Sequence, residues 1–485
     1  MLSPIHPLPC SSRRLIFFLI LMILMASLAE ARIWQVGPSR THTQPSAVSS
    51  LVGNGDTVEI DPATYADVCA WQANNLVLKG GGGIARLDAT GLFLYEGKAI
   101  WVIKGSNTTV EAVEFLGASC PDQNGAGIRQ EGPGLVVRSS YFHNNEDGIL
   151  SGADSTSDVL IEYSEFGYNG YGDGYSHNMY IGNIRQFTLQ HCYSHHAVVG
   201  HLVKSRAKTN YILYNRLTDE ATGTPSYELD LPNAGTSFVI GNLVHQGTNT
   251  PNSTVMSFGR EGIGTGYDTI LTCVNNTFVN DRTPFGAFVA LQTGTRAALT
   301  NNIFYGGDQI VTGGRHSGSN NWVPTGHRGD DSLQNSVVGT DPLLVSPSTY
   351  DYHLQSNSAC INTGTPPDSV LWPRYQYVHP CNREPRPVQG ILDIGSYEYV
   401  NVGVEETAED GSSRVEVEIT PTPNPFTSFT MVRGQEKERF ELYDIAGKRV
   451  GCFRGDRVGE GLPAGIYFLR ALSRDACPKR LVKLK

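Results

Sequence analysis

Tyr211-Ile212-Leu213-Tyr214-Asn215-Arg216-Leu217, Phe238-Val239-Ile240-Gly241-Asn242-Leu243, Ile270-Leu271-Thr272-Cys273-Val274-Asn275-Asn276-Thr277-Phe278 and Ala298-Leu299-Thr300-Asn301-Asn302-Ile303-Phe304 are four versions of one phrase. Each is a short strand-like apolar run, then asparagine, then an aliphatic or aromatic residue. Looser versions occur earlier, at Val110–Phe115, Leu135–Phe142, Val159–Phe166 and Phe187–Tyr193. Their closing residues fall at 115, 142, 166, 193, 217, 243, 278 and 304, so most steps are 24–27 residues, with one of 35. That spacing is too short for a propeller blade of roughly 40 residues, and the leucine register of a horseshoe is missing. Several short strands per 25-residue turn predict a right-handed parallel β-helix. Alternate side chains then enter a narrow core, and Gly and Asn serve the corners. Asn215, Asn242, Asn276 and Asn302 read as a structural ladder from coil to coil.

The composition agrees. The 485 residues contain 53 Gly and 40% hydrophobic residues but only 17% charged ones, which suits a turn-rich β protein that can bury a core and argues against disorder. A formal charge of −10 gives no long-range attraction to nucleic acid, which is therefore excluded as an expected partner. Arg13-Arg14, the apolar run Leu15–Leu28 and Ala29-Glu30-Ala31 predict a signal peptide over 1–31 and an exported protein. Eight cysteines follow it. Their wide spacing matches no metal motif, and Cys360 with Cys381 and Cys452 with Cys477 are the pairings the sequence suggests.

Gly55–Ile60 with Thr64-Tyr65 resembles the entry coil of secreted β-helix proteins, and Asp341-Pro342-Leu343, Ser358–Ile361 and Asp393-Ile394-Gly395-Ser396-Tyr397-Glu398 resemble their closing segments. The β-helix is expected over 32–400. A polar stretch over 401–413 reads as a linker, and alternating runs after it predict a small β-sandwich over 414–485. Within that tail, Pro423-Asn424-Pro425-Phe426, Leu442–Lys448 and Gly461–Tyr467 resemble the C-terminal sorting domain of the type IX secretion system. The resemblance implies secretion machinery as a partner. It also implies an extracellular or outer-membrane location on a Gram-negative-type bacterium.

The chemistry concentrates between Asp173 and Glu261, where His177–Ile181, His201–Ser205, Tyr227–Leu231 and Met256–Arg260 align as one strand in successive coils. With Met179, Ile181, Val203, Leu229 and Leu231 inward, the alternation sends Asn178, Tyr180, Lys204, Glu228 and Asp230 outward into one groove. Coils about 4.8 Å apart let Lys204 reach the acids of the next coil. His191, His195, His196 and His201 crowd the same region, without the spacing of a transition-metal site. Such a groove suits a sugar acid. Elimination from a uronate needs a neutralised carboxylate, a base for the C5 proton, and an acid or water for the leaving oxygen. Lys204 is the candidate base, and His201 or Tyr227 assists proton transfer. Asn178, Tyr180, Arg206 and Arg260 bind substrate. Glu228 and Asp230 are the residues for a calcium ion or, in a hydrolase, for an acid–base pair, with Glu220 or Glu261 as substitutes.

Val203-Lys204-Ser205, Asn210, Asn215 and the block Tyr227–Asn242 resemble the alginate lyase and chondroitinase B family of β-helix polysaccharide lyases. In that family the lysine of the Val-Lys-Ser element is the catalytic base, a role the resemblance carries to Lys204. Its later Leu-Arg-His-Gly-Asn element aligns with Leu229-Asp230-Leu231-Pro232-Asn233, which lacks the arginine implicated as acid. The expected function is a monomeric, surface-delivered lyase of a uronate-containing polysaccharide. A β-helix glycoside hydrolase and a noncatalytic glycan-binding or adhesive protein are the alternatives.

Overall fold

The computed structural model describes residues 31–283, 286–307, 309–326 and 332–400, and, further on, 421–422, 426–432, 436–444, 449–471 and 479–483. The linker expected from the sequence, and the expected leader apart from Ala31, lie outside these residues. The chain divides into two compact units, at Asn401/Val402.

The first unit is a right-handed parallel β-helix with three faces of 13, 12 and 10 strands, each joined only to strands of the neighbouring coils. One coil runs through Thr209–Leu213 on the first face, Arg216–Thr218 on the second and Leu229–Leu231 on the third. The phrase that opens the sequence reading is the corner between the first two faces. There Tyr214, Asn275 and Asn301 take left-handed backbone conformations, with φ of 55°, 52° and 56°. Asparagine is among the few non-glycine residues that tolerate this region.

The next residue builds the expected ladder. Asn242 donates from Nδ2 to Ile212 O at 2.8 Å and to Asn276 Oδ1 at 2.9 Å, while its backbone N–H donates to the same Asn276 Oδ1 at 2.9 Å. Asn215, Asn276, Asn302 and Asn321 continue the pattern, all fully buried. The corner thereby satisfies backbone groups that the bend takes away from the sheet. Inside, like residues stack: the Phe115, Phe142 and Phe166 rings follow one another at 4.8 Å and are nearly parallel.

The closing segment folds back on the coils. Asn275 Nδ2 donates to Asp393 O at 2.8 Å, and Ser396 Oγ donates to Thr277 Oγ1 at 2.9 Å. Fully buried Arg386 donates to Glu398 Oε1 at 2.6 Å and to the carbonyls of Gly395 and Ser396. The Asp393–Glu398 motif is thus a clasp around one arginine. The cysteine pairing suggested by spacing does not hold: Cys360 and Cys381 carry free thiols, as does Cys452, and Cys477 lies outside the described residues. Cys360 is buried in a second apolar cluster beneath the clasp, where packing accounts for it.

The second unit is a small β domain. Arg449–Arg454, Arg439–Asp444, Gly465–Ala471 and Lys479–Lys483 form an antiparallel sheet in that order, and Pro421–Thr422 pairs with Met431–Val432. Phe426, Val432, Phe440, Leu442, Val458, Leu469 and Leu481 form its core. The blocks Pro423–Phe426 and Leu442–Lys448 fall partly outside the described residues. Among the described residues of the chain, no helix is long and apolar enough to cross a membrane.

Asn276→Ala would leave Val239 O and the N–H of Asn242 without the partners they now have, while Asn302 Oδ1 would keep only the backbone N–H of residue 276. Burying these groups unpaired predicts a loss of about 2–4 kcal/mol, read as a lower urea midpoint and as faster hydrogen exchange at the Asn242 N–H.

Candidate active site

The third face carries the site. Its strands align Arg129 with Leu150, Leu150 with Tyr180, Tyr180 with Lys204, Lys204 with Asp230 and Asp230 with Ser257. From Tyr180 to Asp230 this is the register expected from the sequence, whereas the Met256–Arg260 block pairs two residues out from the expected alignment, with Met256 opposite Leu229 instead of Tyr227; the row points away from the core. Lys204 Nζ lies 3.2 Å from Asp230 Oδ2 and donates to Glu261 Oε1 at 2.7 Å. Arg206 binds the other oxygen of Glu261, and also donates to the Tyr180 hydroxyl at 2.7 Å and to Asn233 Oδ1 at 2.6 Å. Tyr267 donates its hydroxyl to the Arg206 carbonyl at 2.9 Å. One carboxylate thus bridges an ammonium and a guanidinium whose other contacts are all fixed.

His201 and His177 form the wall beside Lys204, their rings stacked at 4.6 Å. The N–H of Tyr227 donates to Nδ1 of His201 at 3.2 Å, and the N–H of His201 donates to Nδ1 of His177 at 3.0 Å. These bonds place the ring protons on Nε2, which in His201 lies 3.6 Å from Asp230 Oδ2. Burial, followed by the charge of Lys204, holds His201 down at about 3, so the ring is neutral at ordinary pH. Tyr227 packs against His201 with ring centroids 5.2 Å apart. Asp230 is raised above the usual carboxylate range by burial, which Lys204 opposes. Glu261 is lower than usual because the hydrogen bonds from Lys204 and Arg206 outweigh its partial burial.

From Arg206 and Tyr180 a cavity of about 400 Å³ continues over the preceding coils, lined also by Arg129, Asp147, Asp173 and Tyr175. Asp147 is buried there. Its Oδ1 accepts the His177 N–H at 2.7 Å, its Oδ2 has no partner, and burial pushes its carboxyl well above the usual range.

Lys204, His201, Tyr227, Tyr180, Arg206 and Asp230 therefore come together as expected, and three other residues do not. Asn178 and Glu228 are fully buried. They occupy the corner where the strand leaves the second face, and there two successive residues turn inward, so strict alternation from Met179 and Leu229 places them on the wrong side. Asn178 closes a second ladder, accepting from Asn169 Nδ2 at 3.0 Å and donating to the His195 carbonyl at 2.9 Å. Glu228 meets Asp219 and Gln246 inside the coil. Arg260 is exposed and, among the described residues, has no hydrogen bond or ion pair with the cluster.

The other histidines are also elsewhere. His191 lies at the first corner, stacked on Tyr163 and Tyr214, and His195 and His196 meet on the second face near Glu165. Glu220 binds Tyr193 and Arg216. Glu228 faces Asp219 and Gln246 inside the coil, whereas Asp230 faces Lys204 on the groove. No group of three or more His, Cys, Asp or Glu among the described residues is arranged to hold a metal. Asn233, Tyr267, Arg129 and Asp147 are the site residues that sequence reasoning missed. Arg129 was within reach, since the outward row extended two coils back from Tyr180 arrives at it.

Comparison with solved structures finds pectate lyase Pel9A at a TM-score of 0.53 and 13% identity, covering 76% of this chain and 96% of that one. The Dettilon tailspike protein gp208 matches at a TM-score of 0.26 and 14% identity, over 56% of this chain and 63% of that one. No protein-family model matches the chain, and no curated protein matches it. At this identity the likeness to Pel9A is one of fold, that of a pectate-lyase-like parallel β-helix.

The buried Asp219–Glu228 pair has a measurable signature. Burial raises both carboxyls, Asp219 to about 7; the hydrogen bond they share favours ionisation of Asp219 and, with the Asp219 charge, opposes that of Glu228. Folded values above the ordinary value of about 4 mean that the pair's stabilisation is complete below that pH and is lost as pH rises through about 7. The wild-type melting temperature is expected to fall from pH 5 to pH 8, and Glu228→Gln, which keeps a hydrogen-bond donor without the charge, to flatten that decline.

Proposed function

We propose that the protein is a polysaccharide lyase that cleaves a uronate-containing glycan by β-elimination. The observation that carries this reading is the convergence of Lys204 and Arg206 on one carboxylate at the end of a polar groove. In a uronate the carboxyl carbon is bonded to C5. A site that grips the carboxylate between an amine and a guanidinium therefore presents the C5–H bond to the amine. The fold shared with pectate lyase Pel9A, and the Val203-Lys204-Ser205 element resembling that of the alginate lyase and chondroitinase B family, support the same reading.

Arg206 pairs with the substrate carboxylate and stabilises the charge that spreads onto it as C5 loses its proton. Lys204 must first be neutral. Asp230, 3.2 Å away and raised by burial, is the group to receive the ammonium proton. The amine then takes the C5 proton, the C–H electrons form the C4–C5 double bond, and the C4–O bond breaks. Water or the Tyr227 hydroxyl protonates the leaving oxygen. Neutral His201 lies against Asp230 and, carrying its proton on Nε2, does not compete as base.

The test is a panel of uronate polysaccharides, incubated with calcium and with a chelator, and followed by ultraviolet absorbance of the unsaturated product and by reducing-end release. Lys204→Ala is expected to lower the rate of double-bond formation by about 10²–10⁴-fold while leaving the thermal transition in place. Reducing ends without the double bond would select a hydrolase. Saturable binding with neither signal would select a glycan-binding protein. For the second unit, we propose the sorting role its sequence resemblance implies, which makes export the property lost on removing residues 402–485.

A further inference from the structure

Glu261 stands where the substrate must go. Its two oxygens engage Lys204 and Arg206, the two cations of the site, yet it is not part of the strand row that positions them. It lies on the excursion between the strands Thr254–Phe258 and Ile270–Val274, a segment bent at Gly259, Gly262 and Gly266, all with positive φ. Lys204, Asp230 and Arg206 are largely enclosed, whereas the Glu261 side chain is 45% exposed. The loop backbone is held without it: Asn233 Nδ2 donates to Gly262 O at 2.9 Å, the N–H of Gly264 donates to Asn233 O at 3.0 Å, and the N–H of Glu261 donates to Pro232 O at 3.0 Å. The carboxylate can therefore leave the cations by side-chain rotation, with the loop in place.

We infer that Glu261 is a built-in stand-in for the substrate carboxylate, a displaceable plug that a uronate must expel in order to bind between Lys204 and Arg206. The inference rests on the uronate reading above. The plug compensates two enclosed cations when no substrate is present, since leaving them unpaired would be costly. It also couples binding to chemistry. Expelling Glu261 leaves Lys204 Nζ facing the bound uronate in its place. A ligand whose carboxylate alone reaches the site competes poorly with a tethered one. An oligomer that also fills the groove toward Arg129 has the additional contacts needed to displace it.

The experiment measures binding of size-defined uronate oligosaccharides from pectate, alginate and chondroitin to the full chain by titration calorimetry, with wild type, Glu261→Gln and Glu261→Ala in parallel. Removing the competing charge is expected to tighten binding by about threefold to tenfold, the range of a half-exposed, charge-assisted pair. Glu261→Asp, too short to span both cations, should give a smaller gain and covers the case in which a neutral residue disturbs the loop. Wild-type binding that is equalled or weakened in all three variants overturns the plug and leaves the role of Lys204 standing. No binding by any of the four proteins to any of the three glycans overturns the uronate reading, and the plug with it.

Discussion

The asparagine amide at the first corner is the interaction on which the rest depends. A parallel coil has to bend sharply without abandoning the backbone groups at the bend, and a carboxamide offers both a donor and an acceptor in one rigid plane. Asn242 uses its donor on Ile212 O in the preceding coil, and its backbone N–H turns to Asn276 in the following one. Repeated from Asn215 to Asn321, this sets each coil directly over the last. The strand registers of those coils inherit their alignment from it.

Alignment of that kind turns sequence distance into chemical proximity. Tyr180, Lys204 and Asp230 are separated by more than twenty residues at each step, yet stand side by side because each occupies the same place in its coil. The side chains emerge from a sheet whose other surface is packed core, so they are held by a floor that does not yield. Function on such a scaffold needs few residues per coil. Arg206, Asn233, Tyr267 and Glu261 then join the row from the corner loops and give it a charged centre.

The fold was legible because its signal is repeated. The period near 25 residues, the corner asparagines and the inward alternation each recur often enough that one irregular coil does no harm. The site was legible only along straight strand. Lys204, Asp230 and Tyr180 lie within strands and obey alternation, whereas Asn178 and Glu228 sit one residue beyond them, where the chain turns and two neighbours face inward together. The contact of Glu261 with Lys204 spans 57 positions and is made by a loop, so no periodicity reveals it. His191, His195 and His196 show the opposite effect: closeness along the chain suggested a cluster, but a coil sends consecutive segments to different faces.

The three corners differ in freedom. Between the first and second faces the connection is only one or two residues in every coil from Glu111 onward, and from Asn215 to Asn321 the asparagine amide must meet its counterpart above and below. The other two corners flank the third face and carry all the long excursions, among them Gly117–Gly125, Tyr168–Asn178, Asp219–Glu228 and Gly259–Thr269. Variation is thus confined to the banks of the groove, while its bed is inherited unchanged from coil to coil. A lineage built on this scaffold could raise, lower or recharge those banks and so move from one polymer to another, with no revision of the part that folds.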